Sequence, residues 1–444
     1  MSRIDIENPT RVRFVVLGWA CALAIVTYMH RVGFSAIVPS LRGPLGLDDR
    51  AVGYFMAAFM VAYGLFEVPW GLLGDARGAR SALVGVVVGG SLMTAAVATV
   101  VLLPNPARMG LGFLIVLRFL FAAFQAGTFP LLARVMADWM PAGERGAAQG
   151  AIWMASRIGG ALAPLILIPL FRQFDNWRIP LILGAGLGLA WCVGFWPWFR
   201  NTPEEMPRVN AAERELISRG RKPKPVRVHN VPWGRIFGRS NPLALLAMYG
   251  CIGYSGNFFL FFLSDYLEKK RLLSKETSLW LMALPFIGGA FACVLGGMLS
   301  DRLCRRWSSR RWGRRAVGAA GLTIAAAGML AIPFVTDVRL LAVVLCVTFI
   351  GNDLAMGPAW AAATEIGDRL AGTLGGAMNM IGSFVAATSA LVSGHQFAEH
   401  DVTTPFLLFG LSYAIGALCW LRIDVTEPLG DTVGDPAVVL PRGS

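Results

Sequence analysis

The sequence predicts an all-α membrane protein, with twelve transmembrane helices in two pseudo-symmetric six-helix bundles. Three observations carry this. The 444 residues are 55% hydrophobic and only 15% charged, and the mean hydropathy of +0.58 is far above that of a soluble chain. Apolar runs of about the 20 residues needed to cross a bilayer recur along the chain. One long polar connection, residues 200–242, leaves six such runs on either side.

Span 1, 14–39, contains TYMHRVGFSAIVP, which sets Tyr28, His30 and Arg31 in apolar surroundings. An arginine near mid-bilayer costs roughly 2.5–3.5 kcal/mol on insertion scales, so a guanidinium there needs compensation. Span 2, 51–74, carries Glu67 and runs into GLLGDARGAR. Span 3 is 81–103, and span 4, 110–136, contains RFLFAAFQAGTFP with Arg118 and Gln125. Span 5, 145–170, contains WMASRIGGALAP with Arg157, and span 6 is 177–199. The 200–242 connection is rich in proline and charge, with a short amphipathic helix expected around 211–219. Span 7, 243–267, places Tyr254 and Asn257 in GYSGNFFLFF, and span 8, 278–300, runs into GMLSDRLCRR. Span 9 is 315–335, span 10, 339–362, holds Asn352, Asp353 and Trp360, span 11, 371–396, holds Asn379, and span 12 is 403–422. The expected organisation is a bundle at 1–199, a connection at 200–242, a bundle at 243–422 and a tail at 423–444. The closing LPRGS looks like a protease-site remnant.

A formal net charge of +13 would suit a nucleic-acid partner, but its placement argues against one. Lysines and arginines crowd alternate loops, at Arg77 and Arg80, at Arg134 and Arg145, through 200–242, and from Arg302 to Arg315. Lys269, Lys270, Arg271 and Lys275 after span 7 are the exception. The positive-inside rule puts both termini and the long connection in the cytoplasm, and the chain is expected in a bacterial inner membrane. The expected partners are the lipid bilayer and a small molecule, with the chain a monomer. Seven cysteines lie scattered, without CxxC or metal-ligand spacing, and read as small buried hydrophobes. Span 1 lacks a cleavage site and is expected to be retained. HExxH, GxSxG and a Walker loop are all missing from the sequence, so neither an enzyme nor an ATP-driven pump is expected, nor a cofactor or metal.

The two sets of spans share a register. GLLGD at 71–75 recurs as GMLSD at 297–301, 226 residues later, and the same shift carries Gly146 onto Gly372 and Gly150 onto Gly376. It also carries Arg31 onto Asn257. Two motifs at one offset indicate a duplicated six-helix unit. Parallel repeats of this kind bind substrate near mid-membrane, between the halves.

GLLGDARGAR and GMLSDRLCRR resemble the loop signature of the major facilitator superfamily, on Gly71, Asp75 and Arg77 and again on Gly297, Asp301 and Arg302. Finer matches resemble its anion:cation symporter family. The Y-x-H-R of span 1 is similar to that family's Y-x-D-R, RFLFAAFQAGTFP to its R-x6-E, and RNTPEEMPRVNAAERELI to the stretch after its sixth helix. The resemblance spans 11–422 and implies secondary transport of a small organic anion, a sugar acid or other carboxylate, by alternating access. It also implies that Arg31 and Arg118 line a central cavity. That suits the chemistry, since a guanidinium keeps its charge and offers a planar fork to carboxylate or phosphate. Tyr28, Asn257, Gln125, Tyr254 and Trp360 are further candidates for substrate contact. Arg157, Asn352 and Asn379 are polar membrane positions that serve the cavity or join helices. His30 and Gln125 depart from the pattern, because the family usually has protonatable acids there. His30, Glu67 and Asp353 are the candidates for coupling to protons as co-substrate. Uniport, exchange without protons, and a receptor that binds without flux stay open as alternatives.

Overall fold

The computed structural model describes residues 8–36, 45, 49–174, 176–219, 231–398 and 403–429. The LPRGS tail and part of the connection lie outside them. Among the described residues, nine apolar helical stretches are long enough to cross a membrane. One of them, Val338–Ser393, is 56 residues long and takes in spans 10 and 11. Span 12 is the 17-residue helix Thr403–Cys419. Span 7 is Ser240–Asn257, continued by π-helical turns at Phe258–Phe262 and Tyr266–Lys270. Among the described residues each of the twelve expected spans is thus built on helix, and the protein is an integral membrane protein of the expected class.

Local chemistry sets several helix ends. Ser274, Ser309 and Asp337 each accept a backbone hydrogen bond at the start of spans 8, 9 and 10, satisfying one of the donors a helix leaves open there. Spans 4 and 10 differ from the unbroken helices expected. Span 4 divides into Pro106–Gln125 and Thr128–Trp139, and span 10 into Val338–Leu354 and Met356–Gly367. Pro130 and Pro358 explain the breaks: each lacks an N–H and crowds the carbonyl four residues earlier, at Ala126 and Leu354.

The two groups of six helices meet where span 2 packs on span 11 and span 5 on span 8. At one end of this seam the backbones touch. A Cβ on Gly71 would collide with the Gly372 carbonyl, and one on Gly297 with the Gly146 carbonyl. The acids of the two loop motifs close the same contacts. Asp75 accepts from the Gly372 and Thr373 amides at 3.0 and 2.6 Å, and Asp301 from those of Gly146 and Ala147 at 3.2 and 2.7 Å. Each carboxylate therefore sits on the N-terminus of a helix from the other half, where the helix dipole favours negative charge. The two sets of contacts are related by the 226-residue shift.

Buried arginines back each acid. Arg134 lies 3.7 Å from Asp75 and pairs with Asp138 at 2.7 Å. Arg314 pairs with Asp301 at 2.5 Å and with Glu365 at 2.7 Å. Arg77 and Arg302, expected in the motif, are instead exposed outside these contacts. The expected helix in the connection is Ala211–Ser218, capped by Asn210, and it has a structural task. Its buried Glu213 accepts from the Val12 and Arg13 amides at 3.1 and 3.2 Å, closing the start of span 1.

A branched side chain at Gly297 must push against backbone, which cannot swing aside. Gly297→Val is expected to open the seam and speed maleimide labelling of Cys293, whose carbonyl packs on Gly150, by about 10-fold. The readout is labelling rate in a variant keeping Cys293 as its one cysteine; an unchanged rate would contradict this closure.

Candidate functional site

Arg31 lies near the end of the helix Val12–Ala36, one turn beyond Tyr28 and on the same face. Its guanidinium carbon stands 5.0 Å from the Tyr28 ring centre, 5.1 Å from that of Phe59 and 4.6 Å from that of Tyr63. Phe59 and Tyr63 are four residues apart on span 2 and stack at 5.5 Å, forming one aromatic wall. Desolvated cation–π contacts of this kind reach about 2 kcal/mol, which offsets much of the cost of holding the charge there. They leave two of the in-plane donor atoms unused. Arg31 Nε and Nη2 are buried and carry no hydrogen bond, and among the described residues no carboxylate ion-pairs with them. Arg118, 2% exposed, stands 4.4 Å from the same Phe59 ring, so two positive charges share one aromatic side chain.

Below this layer the halves are joined by polar contacts. Glu67, one turn on from Tyr63 and fully buried, accepts from the Asn379 side chain on span 11. Arg157 on span 5 makes a two-pronged ion pair with Asp353 on span 10, at 3.0 and 2.8 Å. Asn352 donates to the same carboxylate at 2.9 Å and accepts from the Tyr413 hydroxyl at 2.9 Å. Between them lies an aromatic layer. Trp153 stacks on Phe129 at 4.6 Å, Trp360 leans on both at 5.8 and 6.0 Å, and its indole donates to the Tyr249 hydroxyl at 3.1 Å.

Other candidates sit elsewhere. His30 turns away from Arg31, since one residue along a helix rotates the side chain by about 100°. Its Nε2 lies 2.7 Å from the Gly184 carbonyl on span 6. Gln125 donates to the Thr27 carbonyl at 3.0 Å. Both line a void of about 10 Å³ inside the first half, lined also by Thr128 and Gly90. Asn257 donates to the Ala386 carbonyl at 2.8 Å, and Tyr254 packs on Phe409 at 5.8 Å. These two are bound within the second half rather than paired with Arg31 across the seam. Phe59 and Tyr63 were missed in the sequence; their signal was the i, i+4, i+8 line they form with Glu67.

Residues 20–390 match the Major Facilitator Superfamily. The chain belongs to that superfamily. The probable sulfoacetate transporter SauU of Cupriavidus necator is 28% identical over 420 residues, 93% of this chain and 94% of that one. The D-galactonate transporter of Escherichia coli is 23% identical, over 95% of this chain and 97% of its own. A probable galactarate/D-glucarate transporter, GudP of Bacillus subtilis, is 26% identical, over 92% and 91%. Among solved structures, the proton:xylose symporter XylE superposes with a TM-score of 0.73 at 14% identity, over 91% of this chain and 94% of its own. The human organic anion transporter MFSD10 gives 0.71 at 14% identity, over 93% and 100%. This superfamily member is a transporter, not an enzyme.

The Arg157–Asp353 pair bridges the two halves. Removing one partner of a buried pair leaves a bare charge, at a cost of about 3–5 kcal/mol. Asp353→Asn is expected to lower the Tm clearly, and the double variant R157Q/D353N to recover most of that loss. A double variant no more stable than the single one in a detergent melt would show that the pair is not coupled.

Proposed function

We propose that this chain carries a small organic anion across the membrane by alternating access, and that the anion docks on Arg31. The carrying observation is the pair of buried, unused donors at Nε and Nη2. Those two atoms form the side of the guanidinium on which carboxylates, sulfonates and phosphates bind with two parallel hydrogen bonds. Arg118 adds a second positive charge against the same Phe59 ring, and the Tyr28 and Tyr63 rings border the space. The curated relatives support the charge of the cargo, since their names include sulfoacetate, galactonate, galactarate and glucarate. The two bundles move about the seam: the Asp75 and Asp301 contacts hold one end shut, and the anion enters from the other.

We assign proton coupling to Glu67. It is buried at the seam and freed only when spans 2 and 11 part. Tyr63 on its own helix, Arg31 on span 1, Tyr249 on span 7 and Asn379 on span 11 surround it. His30, held inside the first half by the Gly184 carbonyl, is less suited, and Asp353 is already committed to Arg157. An imposed proton gradient is expected to change uptake into proteoliposomes, and Glu67→Gln to abolish that response while leaving anion exchange. Uptake by the unaltered chain that ignores the gradient would remove the coupling and leave a uniporter or exchanger.

The anion site has its own test. Sulfoacetate, D-galactonate and D-glucarate are screened by thermal shift and by uptake. Charge-assisted hydrogen bonds contribute about 1.5–3 kcal/mol each, so Arg31→Ala is expected to weaken binding at least about 100-fold. Arg31→Lys, which keeps the charge and loses the fork, is expected to fall between. Undiminished uptake by Arg31→Ala in a normally folded sample would overturn the site.

A further inference from the structure

We infer that an anionic phospholipid occupies a groove at the closed end of the seam, outside the transport path. The groove has a volume of about 1170 Å³ and is formed by both halves: Phe14 and Leu17 of span 1 and Ala147 and Ala148 of span 5 face Leu295, Met298 and Leu299 of span 8. Phe14 is 45% exposed, Leu295 59% and Met298 55%, so its apolar part lies open at the side of the molecule. These span 8 residues belong to the membrane-crossing stretch Glu276–Arg306, which puts them among acyl chains.

The polar end of the groove carries the opposite signal. Arg302, Arg305 and Arg306 line it and are exposed, in the last turns of the same helix. Its two acids are already engaged. Glu144 pairs with Arg13 at 2.9 Å, and Asp301 is taken by Arg314 and by two amides. The charge left facing outward is therefore that of arginines. An apolar channel ending in guanidiniums at the membrane boundary matches one kind of molecule, acyl chains joined to a phosphate that carries net negative charge. Arg305 also donates to the Gly143 carbonyl of the other half at 2.9 Å, so a phosphate held there would span the closed seam beside Asp301. This inference is independent of the identity of the transported anion.

Native mass spectrometry of the full chain tests it, with phosphatidylglycerol and phosphatidylcholine of matched chains as probes. The chain is expected to retain phosphatidylglycerol in preference. An arginine near a charged lipid surface contributes about 1 kcal/mol, so R302Q/R306Q is expected to weaken retention about 30-fold. Met298→Trp, which fills the apolar part and keeps every arginine, is expected to weaken it too, while R77Q, at an exposed arginine away from the groove, leaves it unchanged. A melt of each variant establishes that it is folded. Equal retention of phosphatidylcholine, undiminished retention by folded R302Q/R306Q, or full displacement by inorganic phosphate would each overturn the assignment.

Discussion

Charge inside an apolar bundle must be compensated, and that constraint organises the molecule. Nearly every ionised group described within the spans has its answer in a neighbouring helix. Asp75 and Asp301 use helix N-termini and arginines, Arg157 uses Asp353, and Arg314 uses Asp301 and Glu365. Arg31 is answered differently. Aromatic faces stabilise it from the sides and leave Nε and Nη2 open. Aromatic faces, with Glu67 as the carboxylate in the same neighbourhood, offset the cost of burying this cation and leave two donors for the anion proposed above.

The same constraint explains how the closed end is built. An acid seated on the other half's helix terminus gains from the dipole only while the halves touch, and the glycines let the backbones approach that closely. The closure therefore combines separable polar contacts, several amide hydrogen bonds and two backbone crossings, with an apolar core shared by both halves. Duplication supplies it twice, once at each copy of the loop motif. Glu213 uses the same device on span 1, and it ties the long connection to the first bundle.

The fold class was legible because hydropathy and length decide it, and the 226-residue shift was legible because both copies keep their glycines and acids. Helix ends with a serine or aspartate cap could be read in the same way. Pairings between distant spans could not. Nothing in the sequence sets Arg157 opposite Asp353, since the two lie 196 residues apart and depend on how spans 5 and 10 cross. Asn257 shows the limit of the repeat. The shift puts it opposite Arg31, yet its amide is held by the Ala386 carbonyl, because an asparagine in an apolar bundle takes the backbone acceptor within its reach. The proline breaks in spans 4 and 10 were visible in Pro130 and Pro358, but hydropathy windows pass over them.

What joins these parts is a division of labour between two kinds of buried charge. Some charges are paired across the seam, as Arg157 is with Asp353, whereas Arg31 is wrapped by aromatic rings with two donors open, and the proposed anion site rests on that open pair. The most direct measurement is a structure determined with sulfoacetate or D-galactonate bound. The account predicts an acidic group within hydrogen-bond distance of both Arg31 Nε and Arg31 Nη2, above the Trp153 and Trp360 layer. An anion bound within the second bundle, with the Arg31 guanidinium turned onto Glu67, would contradict it.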